Sequence, residues 1–165
     1  MANTYTQLYI QVVFAVQGRQ SLIPNKHKDE IYKYITGIVQ NPKRAHKLLA
    51  INGMPDHVHM FIGLNPAMAL SDLVRDVKAI SSGFIKEKKW LREKFSWQEG
   101  FGAFSYSRSH IDRVIKYIQH QEEHHRKKTF KEEYLKMLQA FNVKYDERYV
   151  FKWIDDEPER PRGCL

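Results

Sequence analysis

The order of apolar patterns predicts an α+β sandwich, an antiparallel sheet with helices packed on one face, plus a C-terminal helical extension. Strand-like runs of alternating residues are separated by runs at helical spacing, and the whole reads β-α-β-β-α-β and then α. With 165 residues and 42% hydrophobic content, the chain has material for one buried core and too little for two.

Residues 4–16 alternate as a strand, with Leu8, Ile10, Val12, Phe14 and Val16 on one side and Tyr5, Gln7, Tyr9 and Gln11 on the other. A loop through Gly18 and Pro24 leads into a helix over residues 25–40. There Ile31, Ile35, Ile38 and Val39 recur at helical spacing, and Asn41-Pro42 closes the helix. Residues 45–51 form a second strand, and Asn52-Gly53 signals a hairpin. In the next strand, Pro55-Asp56-His57-Val58-His59-Met60-Phe61-Ile62-Gly63-Leu64, alternation sends His57, His59, Phe61 and Gly63 to one face. Val58, Met60, Ile62 and Leu64 make the other face wholly apolar, and that face is expected inside. The two imidazoles then project together from the opposite face, close enough to share one metal ion.

Leu70, Leu73, Val74, Val77, Ile80 and Phe84 mark a second amphipathic helix, capped near Ser71 or Asp72 and running to about Lys89. Its solvent side carries Arg75, Lys78, Lys86, Lys88 and Lys89, a face that either follows a phosphate backbone or is simply solvated. Residues 97–106 are aromatic and glycine-punctuated and read as a loop entering a strand. A third helix spans about residues 109–128 and another about 131–141, followed by a short strand over 148–153 and a loose tail over 155–162. The element order is that of a ferredoxin-like sandwich. Residues 1–128 would form the catalytic unit, and residues 129–165 a helical extension and tail of the same domain.

The single cysteine, Cys164, excludes an internal disulfide framework and a cysteine-based zinc site, and a reducing cytoplasm fits best. No run approaches the roughly 18 apolar residues of a membrane span, and the N-terminus lacks a basic segment followed by an apolar one. A soluble, cytoplasmic protein without membrane association is expected. Lysine plus arginine outnumber acids 27 to 19, a formal charge of +8, and nine tyrosines and nine phenylalanines accompany them. That balance suits a nucleic-acid surface, where cations meet phosphates and rings stack on unpaired bases.

On the third helix the core stripe is Ile111, Val114, Ile115 and Ile118. At about 100° per residue, Tyr117 sits roughly 110° from the stripe centre and Gln121 roughly 70° from it, one above the other on the helix flank. His110, Arg113 and His124 share that flank. Two imidazoles and an amide oxygen would hold a divalent cation without cancelling its charge, leaving positions for phosphate oxygens. Tyr117 would attack a phosphodiester, expel a deoxyribose hydroxyl and keep the bond energy in a phosphotyrosine link. A tyrosine with an ordinary pKa of about 10 needs help in losing its proton, from the metal or a base such as His124. Asp56 would orient His57 or serve the turn beside Pro55. Tyr106 and Tyr134 are weaker nucleophile candidates, and His120, His124 and His125 read as a solvated polar face.

These residues carry a resemblance. His57-Val58-His59 resembles the His-hydrophobe-His motif of the HUH endonucleases, and Tyr117-Ile118-Gln119-His120-Gln121 resembles the single-tyrosine helix of the insertion-sequence-200-like transposases. Residues 53–59 and 97–105 are similar to further stretches of that family, in the family's order. The resemblance implies a ferredoxin-like (RRM-like) fold and cleavage and rejoining of single-stranded DNA through a 5′-phosphotyrosine. It implies that His57, His59 and Gln121 hold Mg²⁺ or Mn²⁺, and that Tyr117 is the nucleophile. It also implies a homodimer with composite active sites and recognition of hairpin DNA ends. Arg75, Lys78, Lys86, Lys88 and Arg113 are the candidate DNA contacts. The alternatives are a host-retained relative processing palindromic repeats, a metal-dependent hydrolase, and a non-catalytic single-strand DNA or RNA module stacking bases on Tyr5, Tyr9 and Phe61.

Overall fold

The computed structural model describes residues 3–146 and 150. Strands β1 (Tyr9–Ala15), β2 (Lys47–Met54), β3 (His57–Gly63) and β4 (Gly102–Tyr106) form one sheet in the order β2-β3-β1-β4, with every pairing antiparallel. Helix α1 (Lys28–Val39) joins β1 to β2 and α2 (Leu70–Lys88) joins β3 to β4, which is the expected β-α-β-β-α-β order. Among the described residues, helices α3 (Ile111–Gln119), α4 (Gln121–His125) and α5 (Phe130–Ala140) follow. Apart from Val150, the strand expected over 148–153 and the tail over 155–162 lie outside the described residues.

The alternation along β1 and β3 decides which residues meet α1 and α2. Val12, Phe14, Val58, Met60 and Ile62 pack with Ile31, Ile35 and Val39 of α1 and with Leu73, Val74 and Val77 of α2. Each such side chain, taken fully out of water, contributes about 1.5–3 kcal/mol before the entropy of ordering is subtracted.

The histidine face, expected to be open, is closed. Val114 and Ile118 of α3 pack on Ala50 and Phe61, while Phe130, Tyr134 and Leu138 of α5 pack on Val13, Ala15 and Phe104. His57, His59 and Phe61 are consequently 0% exposed. The helices after β4 supply the apolar surface that covers this side, so the sheet has helices on both faces.

Two local features differ from the sequence reading. Asn52 and Gly53 lie within β2, which runs on until Met54 pairs with His57, and Pro55-Asp56 makes the turn. Glycine serves a close approach there, since a Cβ on Gly53 would collide with the His57 carbonyl oxygen. The helix expected over 109–128 starts at Ile111 and breaks at His120, where φ is −102° and ψ is 30°. Both the backbone N–H and the ring Nδ1 of His120 turn to the Lys116 carbonyl, a local competition that ends α3. Helix α5 is started by a capping box between Thr129 and Glu132.

Candidate active site on the histidine strand

His57 and His59 stand two residues apart on β3, with ring centroids 5.1 Å apart, at the seam between α3–α4 and α5. The Nδ1–H of His57 donates to Asp56 Oδ1 at 2.7 Å, which leaves Nε2 as the bare nitrogen facing Gln121 Oε1 at 3.4 Å. Burial holds the His57 pKa below its ordinary value despite the Asp56 contact, so the ring is neutral at pH 7. Burial works to raise the Asp56 carboxyl, but the contact with His57 and the charge of Arg19 outweigh it and keep its pKa low.

His59 is held from behind as well. Gln11 Nε2 lies 3.0 Å from His59 Nδ1, and the Tyr106 hydroxyl donates to Gln11 Oε1 at 3.0 Å. A hydroxyl both donates and accepts, so this chain is satisfied with the Gln11 amide in either orientation. With the amide oxygen on Nδ1, His59 presents a bare Nε2 to the site.

Glu133 of α5 completes the arrangement. Its Oε1 lies 2.7 Å from His59 Nε2 and 4.0 Å from His57 Nε2, and its Oε2 lies 3.1 Å from His125 Nε2. His59 Nε2, His125 Nε2 and Glu133 Oε1 are buried without a hydrogen-bond partner, so the 2.7 Å approach lacks hydrogen-bond alignment. Lone pairs converging this way fit a divalent cation. Two ligand atoms at right angles about 2.1 Å from an ion lie about 3.0 Å apart. The observed separations of 2.7, 3.4 and 4.0 Å span that spacing.

Tyr117 sits beside this set, its ring 5.9 Å from that of His59 and 4.7 Å from that of His124. Burial, then the charge and contact of Glu133, push its pKa far above the ordinary 10, so the phenol keeps its proton at neutral pH. Tyr117 and Glu133 line a groove of about 900 Å³ whose wall carries Arg113, Lys116, Lys127, Lys128 and Lys136. An electropositive groove with a phenol at its base can take a phosphate backbone and present it to a nucleophile.

A family model described as "Transposase IS200 like" matches residues 4–121. The chain belongs to the IS200-like transposase family. Solved structures agree in fold. A crystal structure from Deinococcus radiodurans R1, assigned as a transposase, superposes with a TM-score of 0.55 at 20% identity, over 73% of this chain and 95% of that one. A REP-associated tyrosine transposase bound to a REP hairpin matches with a TM-score of 0.53 at 15% identity, over 73% of this chain and 70% of that one. None of the curated proteins compared with the chain matches it. No helix among the described residues is long and apolar enough to cross a membrane.

For an IS200-like transposase the placement of the site residues is informative. His57, His59, Tyr117 and Gln121 come together within one chain, and Asp56 both makes the turn and orients His57. His124 is exposed against the Tyr117 ring, and Arg113 lines the groove. The α2 cations lie elsewhere, because α2 packs on the opposite face of the sheet. Lys78 donates to the Gln98 and Gly100 carbonyls, with burial lowering its pKa to about 8. Arg75 pairs with Asp72 and Asp76, Lys88 pairs with Glu30, and Lys86 is exposed. Of the base-stacking platforms, Phe61 is fully buried and Tyr9 half-buried, which leaves Tyr5. Tyr106 is engaged with Gln11, and Tyr134 packs under Gly102.

Three site residues escaped the sequence reading, Gln11, His125 and Glu133. The solvated reading holds for His120 and His124 but not for His125, whose side chain is 8% exposed and faces Glu133. Glu133 had a legible signal, an acid on the same helical face as Phe130, Tyr134 and Leu138. The family match ends at Gln121, so His125 and Glu133 both lie beyond it.

Proposed function

We propose that this transposase cleaves and rejoins hairpin-bearing single-stranded DNA through a covalent link between Tyr117 and a 5′-phosphate. One observation carries the reading, the convergence of the Tyr117 phenol with His57, His59 and Gln121 beside a basic groove. Arg113 and the groove lysines take backbone phosphates and set the scissile bond against the phenol. The Tyr117 oxygen bonds to phosphorus, the bond to the 3′-oxygen breaks, and that oxygen takes a proton from solvent water. The Tyr117 proton passes to His124, which touches the phenol ring and opens to solvent. A Mg²⁺ or Mn²⁺ ion held by His57, His59 and Gln121 would supply Lewis-acid stabilisation of the charge on the phosphoryl oxygens. Return attack by a 3′-hydroxyl reforms a phosphodiester without an outside energy source.

The hairpin enters the proposal from the structural neighbour, which is bound to a REP hairpin. The resemblance implies active sites shared between two subunits. The Tyr117 ring lies edge-on to His59 of its own chain, and we take the site to act in cis.

The test is incubation with labelled single-stranded DNA from the flanks of the gene, with Mn²⁺, followed by denaturing electrophoresis. An adduct lost with Tyr117→Phe and His57→Ala but kept with Tyr106→Phe supports the reading. Cleavage without adduct points to hydrolysis by water, and binding without cleavage to a non-catalytic module.

A further inference from the structure

Glu133 is a buried carboxylate ringed by imidazoles. Its side chain is 7% exposed, those of His57 and His59 are 0% exposed and that of His125 is 8% exposed. An acid in such a place costs several kcal/mol unless it meets positive charge in good geometry. The rings approach it at 2.7 and 3.1 Å, yet Glu133 Oε1 and the Nε2 atoms of His59 and His125 make no aligned hydrogen bond. One ligand atom each from His57, His125 and Glu133 lies within 4.8 Å of the others. The ligands expected from the sequence, two imidazoles and an amide, are all neutral, whereas Mg²⁺ and Mn²⁺ favour charged oxygen. Helix α5 delivers the missing charge, and it lies beyond the part of the chain that the family model matches.

We propose that Glu133 is a metal ligand of this protein, adding a carboxylate to the set of His57, His59 and Gln121, with His125 facing its second oxygen. The inference rests on the reading of the histidine strand as a divalent-metal site. It makes α5 part of the active centre, so metal affinity depends on the C-terminal helix being docked.

The experiment is calorimetric titration of Mn²⁺ into the full chain without DNA, paired with Mn²⁺ electron paramagnetic resonance and circular dichroism to confirm folding. Glu133→Gln, which keeps shape and removes charge, is expected to weaken binding by about ten- to a hundred-fold or more. Glu133→Asp, which keeps the charge on a shorter stem, falls between the two, and the Mn²⁺ spectrum changes in both variants. Wild-type affinity in Glu133→Gln, with binding lost in His57→Ala, overturns the assignment of Glu133 while the histidine site stands. No binding by the wild-type chain overturns both. If Glu133→Gln does not fold, Glu133→Asp decides, and affinity equal to the wild type counts against the proposal.

Discussion

A carboxylate on one nitrogen of an imidazole fixes what the other nitrogen can do, and Asp56 does this for His57. Removing that partner frees the ring to rotate and to change tautomer. Asp56→Ala is therefore expected to weaken Mn²⁺ binding about ten- to a hundred-fold with the fold retained, and Asp56→Asn, which still accepts a hydrogen bond, to weaken it less. Calorimetry on the metal-free protein measures both, and unchanged affinity in Asp56→Ala would remove Asp56 from the site. At this scale, what was legible was what local spacing decides. The i, i+2 step joins His57 to His59 and the i, i+4 step joins Tyr117 to Gln121, and both meetings hold in the fold. Gln11 and Glu133 reach the site only through strand pairing and helix docking, at sequence separations that no local period encodes.

The β2–β3 hairpin sets where the histidines fall, and its fit depends on Gly53. A methyl group on Gly53 would collide with the backbone at His57, and backbone yields less readily than a side chain. Gly53→Ala is expected to cost about 1–3 kcal/mol, read as a lower urea midpoint with little change in slope. An unchanged midpoint would show that the hairpin relaxes freely. Element types and order were readable because periods of 2.0 and 3.6 are strong over long runs, whereas the ends were not. Asn-Gly is a strong turn signal, yet the turn forms at Pro55-Asp56, where pairing of Met54 with His57 keeps both strands in register. The break at His120 was hidden because the polar residues on both sides fit a continuous helix as well as a broken one.

At the scale of the molecule, the sheet is buried on both sides, and its second cover, α3 to α5, is also what brings the Tyr117 phenol, the Gln121 amide and the Glu133 carboxylate to the histidines. Composition pointed to one domain and a basic partner surface, but only the packing shows that the groove's cations come from α3, the α4–α5 segment and α5, not from α2. The proposed action in cis is open to a mixing experiment. Tyr117→Phe mixed with His57→Ala is expected to stay inactive on single-stranded DNA, while recovery of adduct would mean that one subunit's tyrosine serves another's histidines. The central claim is tested most directly by peptide mapping of the adduct formed with single-stranded flank DNA and Mn²⁺. The account predicts a 5′-phosphate of the DNA on Tyr117, within the tryptic peptide of residues 117–126. Linkage to Tyr106 or another residue, or cleaved DNA with no modified peptide, would contradict it.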